Sequence, residues 1–353
     1  MNRFILIFII LLPFTSCNQE QSKPVQIRKS FQVDIKETSL KLKYTTGIRS
    51  IFEDSKGNYW FGSLQEGVCL FNGQTFTYFT MANGLSNNQV LSIQEDSNGF
   101  IWFGTQKGVS SFDGNKMTNH SQSIILDSQN EWIKTEKDLW FNAGIKEGIY
   151  RYDGQELNYL AFPNPKIINP YNVYSVTSLS KGSNEMLWIG TYAGIFGYNG
   201  NKFTIINDET LGLNINSAPL HIRSLLEDSK GRLWIGNNGI GVLVKEADTI
   251  INFSEKQNLI APTSLRRGDK SPPGTLEHVF TIAEDSQGNI WFGDRDTGVW
   301  KYDGKTMINY TAKDGLIDDF ALSIYEDKDG ELWFGMADGN IFKFNGRTFE
   351  KQF

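Results

Sequence analysis

From Lys43 onward, short alternating runs of apolar and polar residues are broken every few positions by Gly, Asp or Asn. This is the pattern of half-buried strands joined by tight turns. The pattern also repeats. A triplet of Trp, an aromatic residue or Ile, and Gly stands at Trp60, Trp102, Trp188, Trp234, Trp291 and Trp333, with a degenerate Trp-Phe-Asn at Trp140. The spacings are 42, 38, 48, 46, 57 and 42 residues. Before the Trp comes an alternating run ending in an acidic turn, as in SIFEDSKGNYW (50–60) and SIYEDKDGELW (323–333). After it come a Gly-containing turn and an apolar strand such as GVCLF or GVWKY. An Asn-Gly or Asp-Gly then follows at Asn72, Asp113, Asp153, Asn199, Asp303 and Asn345; the fifth repeat has Ala247-Asp248 instead. These dipeptides predict type I′ turns, with positive φ at both residues.

Each unit of about 45 residues thus reads as four antiparallel strands, a to d. A single such sheet leaves its faces open, and radial packing of copies covers them. The expected fold is all-β, a seven-bladed β-propeller of four-stranded antiparallel blades over residues 39–353, with the Trp of strand b between blades. Thr348–Phe353 completes the last repeat, but Leu40–Tyr44 (LKLKY) also reads as a strand d. The N-terminal strand is expected to close the ring in the last blade.

Ahead of the repeats, Arg3 precedes an unbroken apolar run, Phe4–Leu12, that is too short to cross a bilayer as a helix. Phe14-Thr15-Ser16-Cys17 then resembles a bacterial lipoprotein cleavage box. Residues 1–17 are read as a signal peptide with Cys17 lipidated, and residues 18–38 as a polar tether. The domain is expected outside the cytoplasm, held to the bacterial envelope by lipid alone.

Composition sharpens this. Six of the nine Trp carry the repeated triplet and a seventh its degenerate copy, so the aromatic excess reports blade packing. A net charge of −6 disfavours nucleic acid or an anionic membrane as partner. Three His and two Cys are too few for a zinc site or a disulfide framework, and no cofactor or metal is expected. Cys69, within Val68–Phe71, reads as a small buried hydrophobe.

Residues Asn83–Gly114, NGLSNNQVLSIQEDSNGFIWFGTQKGVSSFDG, carry nearly all of a pattern that resembles the two-component regulator propeller repeat. The resemblance runs over about residues 40–353. It implies the extracytoplasmic sensor propeller of a hybrid two-component system, often concerned with polysaccharides. Full-length members carry a membrane helix and a histidine kinase after the propellers. This sequence ends at Phe353 without either, so kinase activity is not expected to transfer.

In a propeller the d–a and b–c loops share one face. The recurrent Glu-Asp pairs fall at a–b turns on the other face and read as turn residues rather than an acid–base couple. Thirteen residues before each Trp stand Gly47, Gln89, Asp127, Ser175, His221, His278 and Phe320. Two of the three His therefore occupy one repeat position, with Arg49 and Arg223 two residues beyond it in blades one and five. The b–c turns add Tyr192, Asn237, Asn238, Asp294 and Arg295. The longest d–a connections contain 161–174, 207–220 and 254–277, with Tyr171, Tyr174, Arg266 and Arg267. The candidate ligand-binding set is His221, His278, Arg223, Arg49, Arg295, Asp294, Tyr192, Tyr174 and Asn237, with no catalytic residue assigned. The leading reading is a non-catalytic, sensor-like module for an oligosaccharide or other small molecule, or for an envelope or sensor-kinase partner protein. One alternative is a propeller lyase, streptogramin-lyase-like or acting on polysaccharide, with His221 and His278 moving the proton. Another is a structural scaffold.

Overall fold

The computed structural model describes residues 38–127, 131–163, 174–182, 186–213, 220–262 and 270–353. The signal segment, Cys17, the tether up to residue 37, Tyr171, Arg266 and Arg267 lie outside the described residues.

Seven sheets follow one another along the chain, their strands hydrogen-bonded in sequence order apart from one strand added outside blade one, giving a seven-bladed β-propeller. The inner strands a are Ile48–Glu53, Val90–Glu95, Val176–Lys181, Ile222–Glu227, Val279–Glu284 and Ala321–Glu326. The strands b that carry the repeated Trp are Tyr59–Ser63, Ile101–Thr105, Leu139–Asn142, Leu187–Thr191, Leu233–Asn237, Ile290–Asp294 and Leu332–Met336.

The Trp of strand b is the inter-blade core, as the repeat predicts. All seven are at most 7% exposed. Trp60 packs on Phe103 of the next blade with ring centres 5.3 Å apart, Trp234 on Phe292 at 5.6 Å and Trp291 on Phe334 at 5.5 Å. Trp333 meets Phe61 of blade one at 6.1 Å, so the same contact closes the ring. The Gly that stands two residues after six of the seven Trp has a steric cause. A Cβ on Gly335 would lie 2.4 Å from Ser323 Oγ of its own blade and 2.8 Å from Ile48 Cβ of the next. Only glycine lets the two inner strands approach this closely.

The acidic turns divide their labour. Asp54 Oδ1 accepts from the N–H groups of Lys56 and Asn58, at 3.0 and 2.9 Å, while its Oδ2 accepts from Trp60 Nε1 at 3.0 Å. Asp96, Asp228, Asp285 and Asp327 hold Trp102, Trp234, Trp291 and Trp333 in the same way. The adjacent Glu reaches to the preceding blade instead. Glu95 accepts from Ser55, Glu284 from Ser229 and Glu326 from Ser286. Glu53 completes the circle on the Lys328 N–H of blade seven at 2.9 Å. Blade four lacks the Asp, and there Glu227 of blade five accepts the Trp188 Nε1–H.

Three expectations are corrected. First, Phe349–Gln352 pairs with Ile341–Phe344 as strand d of blade seven, so the last blade is completed by its own repeat. At the other end Thr38–Ser39 adds a fifth strand outside Phe76–Phe79 of blade one. Leu42 and Tyr44 pack into a core cluster with Phe61, Cys69, Trp333 and Ile341, filling the seam between blades seven and one without pairing as a strand. Second, the Asn-Gly and Asp-Gly loops are not type I′ turns, because only their Gly residues have positive φ. The loop runs to four residues: Phe71 pairs with Phe76, and Asn72 Oδ1 accepts from the N–H groups of Gln74 and Thr75 at 3.0 and 2.8 Å. The side chain thereby supplies the turn that a second positive φ would otherwise supply. Third, blade three has only strands b, c and d among the described residues. Ile125 forms a parallel bridge with Asn158 on the blade's outer strand, so Asp127 follows an outer segment rather than beginning an inner one. Trp132 lies beyond it, donating through Nε1 to Ala161 O at 2.7 Å and packing on Phe203 at 4.7 Å. Trp132 is half-buried against the cluster that holds Trp140, Phe162 and Phe196.

Candidate functional site

Every described inner strand carries a β-bulge at one repeated place. The a–b register slips between Ile48 and Ser50, Val90 and Ser92, Val176 and Ser178, Ile222 and Ser224, Val279 and Thr281, and Ala321 and Ser323. A bulge leaves one residue unpaired and turns its side chain. The unpaired residues are Arg49, Leu91, Thr177, Arg223, Phe280 and Leu322, and all six line one central cavity. One strand position, sampled once per blade, thus surrounds the channel.

The cavity measures about 480 Å³, within the span of roughly 300–1,000 Å³ usual for small-molecule sites. Val176, Thr177, Ser178 and Leu179 of blade four line it consecutively, opposite Leu91 and Ser92 of blade two, and Asn142 reaches it from blade three. The space therefore adjoins the place where blade three shows no inner strand. Gln89, Gln106, Tyr192 and Phe320 contribute from the loops. Arg223 is held between two rings, its guanidinium carbon 5.0 Å from the centre of Tyr192 and 4.6 Å from that of Phe280. It also donates to the Tyr192 hydroxyl at 3.2 Å. Arg49 faces the same space. Burial, and then the like charge of Arg223, lower its pKa from the usual guanidinium value.

Beside the cavity the two histidines converge on one amide. Asn238 Nδ2 donates to His221 Nδ1 at 3.1 Å, and its Oδ1 accepts from His278 Nδ1 at 2.7 Å. This arrangement places a proton on His278 Nδ1 and leaves His221 Nδ1 an acceptor. His221 packs on Tyr192 with ring centres 4.8 Å apart, which links the pair to Arg223. His278 is fully buried, with Nε2 3.9 Å from Asp296 Oδ2. Arg295 grips Asp296 through Nη2 at 2.7 Å. Burial works against the Asp296 charge, but the Arg295 hydrogen bonds hold its pKa below the usual carboxylate value.

Arg49, Arg223, Tyr192, His221, His278 and Arg295 thus fall on the channel and the loop layer beside it. The other predicted residues serve the scaffold. Asp294 is fully buried and accepts four backbone N–H groups, from Glu277, His278, Asp296 and Thr297. Burial, and to a lesser degree the Asp296 charge, raise its pKa to about 7. Asn237 occupies the equivalent position in blade five, fully buried, its amide without a hydrogen-bond partner among the described residues. Tyr174 is a core residue, packed edge-on to Phe196 at 6.1 Å. Sequence counting stopped short of Leu91, Phe280 and Leu322, although the step of two residues that finds Arg49 and Arg223 reaches them too. Asn238 stood only among the turn residues, because an amide bridge between two blades leaves no local pattern. No group of three or more His, Cys, Asp or Glu among the described residues is placed to hold a metal ion. No described helix is long and apolar enough to cross a membrane.

Comparison with known proteins follows the same lines. The family model described as two component regulator propeller matches residues 45–65, 84–107, 217–239, 274–296 and 315–338. A search of curated proteins gave no match. Among solved structures, the chain is similar to the extracellular domain of a hybrid two component system from B. thetaiotaomicron, at 22% identity and a TM-score of 0.62. That alignment covers 86% of this chain and 39% of the other. Virginiamycin B lyase from Staphylococcus aureus aligns at 15% identity and a TM-score of 0.60, over 87% of this chain and 98% of the lyase. PorZ, a surface component of the type-IX secretion system of Porphyromonas gingivalis, aligns at 19% identity and a TM-score of 0.59, over 85% and 46%. At these identities the likeness is one of fold. The chain spans about two fifths of the length of the first structure.

Proposed function

From the match of five segments to the two component regulator propeller model, we infer an extracytoplasmic, lipid-tethered, sensor-like module that binds a ligand at its central channel and does not transform it. The carrying observation is the bulge ring. A position that takes Leu or Phe in three blades takes Arg in two others, and these residues surround a single cavity of ligand size. Tyr192 contributes to the lining, and Gln89 and Gln106 offer amides, the groups that fit an oligosaccharide or a comparable polar small molecule. The hybrid-system likeness supports an extracytoplasmic setting and a signalling or envelope partner that reads the bound state. A lyase would require a His that reaches substrate. Neither His lines the cavity, and His278 is fully buried against Asn238.

A thermal-shift screen of oligosaccharides and small acids against the intact chain and a Leu91→Trp variant tests the reading. Ligands that raise Tm in the first and not in the second, and are recovered unchanged, support it. Turnover of a ligand, or equal shifts in both proteins, refutes it.

A further inference from the structure

We infer that the cavity is an anion site, whose ligand places a carboxylate or sulfate group between Arg49 and Arg223 in the central channel. The inference rests on the ligand-binding reading above and goes beyond it by fixing the charge of the ligand and the two side chains that read it.

The charge balance is the first observation. The chain as a whole carries six more acidic than basic residues, yet the cavity lining contains two arginines and no Asp or Glu. An acidic protein has thus gathered two cations on one cavity that holds no acidic residue. The second observation is that the bulge does not require arginine. Blades two and seven carry Leu91 and Leu322 at the same place, and blade six carries Phe280, with the same register slip. Arg49 forms neither a hydrogen bond nor an ion pair among the described residues, and its charge opposes that of Arg223. Two partly desolvated like charges facing one cavity cost stability relative to leucine. Such a cost is typical of a site kept for function.

Geometry then indicates how the group is held. Arg223 lies between Tyr192 and Phe280, which restricts the freedom of its guanidinium group. A planar or tetrahedral oxyanion can take two parallel hydrogen bonds from such a group. Arg49 supplies the second charge. Phe320 packs edge-on to Phe280 at 4.8 Å, giving an apolar wall beside the charged groups for a ring or chain attached to the acid.

The test uses paired probes on the full chain at low ionic strength: digalacturonate against digalactose, and inorganic sulfate against an equal concentration of a neutral osmolyte. Melting and calorimetric titration are followed for wild type, Arg49→Leu, Arg223→Gln and the double variant. The expected result is stabilisation by digalacturonate or sulfate, with affinity falling at least tenfold in each single variant. Without any probe, Arg49→Leu should melt at or above the wild-type temperature, which a purely structural arginine would not allow. The inference is overturned if acidic probes stabilise the double variant as much as wild type. It also fails if Arg49→Leu melts lower while probe binding persists. If digalactose binds and digalacturonate does not, and Leu91→Trp blocks it, the anion inference falls while the ligand-binding reading stands. Absence of binding by every probe, with Leu91→Trp indistinguishable from wild type across the wider panel, removes both.

Discussion

At the scale of single residues, the same backbone position does different work as its neighbours change. Asp294 and Asn237 stand at equivalent ends of strand b. Asp294 gathers four N–H groups in a fully buried turn, while the Asn237 amide finds no partner among the described residues. The Asp294 carboxyl titrates near pH 7 in the folded chain against about 4 when unfolded. The folded state therefore retains a proton in that window which the unfolded state has released. Stability from this group is unimpaired below about pH 4, falls as pH rises, and reaches its floor above about pH 7. Urea unfolding of wild type and Asp294→Asn at pH 5 and pH 8 should show a loss of stability toward pH 8 that is smaller in the variant. Parallel pH dependences in the two proteins would exclude Asp294 as the source. Sequence located this residue, but not its role, because a carboxylate on a predicted ligand-facing turn looks the same whether it points to solvent or into its own backbone.

At the scale of the blade, the repeat was legible because one physical demand recurs seven times. An inter-blade Trp needs an acceptor for its indole N–H, glycine where the inner strands meet, and a tight turn on either side. Each demand leaves a letter at a fixed spacing, so Trp60 and its counterparts could be placed from sequence alone. What the spacing concealed is the direction of the acidic side chains. Asp serves its own blade and Glu serves the preceding one. Blade four exposes the logic, since Glu227 takes over the acceptor role for Trp188. Glu227→Ala should therefore destabilise by about 1–3 kcal/mol, the cost of a buried donor left without its acceptor. Glu95→Ala removes a solvent-exposed clasp on Ser55 and should cost less than about 1 kcal/mol. Chemical denaturation of both variants checks the ordering; an equal or reversed cost would contradict the assignment. Blade three departs from the pattern among the described residues: Ile125 bridges to the outer strand and Trp132 packs on Phe203, contacts that no local spacing in its sequence announces.

At the scale of the whole molecule, the ring closes through its inner strands, its Trp–Phe contact and the Glu53–Lys328 bond rather than through a borrowed N-terminal strand. The two candidate end strands were equivalent in sequence, and only the hairpin turn at Asn345, which returns Phe349 onto Phe344, separates them. Closure brings six bulge residues from distant parts of the chain around one cavity, which places Arg49 and Arg223 together although they stand 174 positions apart in the sequence. That convergence is the central claim, and anomalous diffraction from crystals of the intact chain soaked in iodide tests it whatever the natural ligand is. The account predicts an iodide peak in the channel in contact with both guanidinium groups, absent from crystals of the Arg49→Leu, Arg223→Gln double variant. Iodide sites confined to the outer surface, with the channel empty in the wild type, would contradict it.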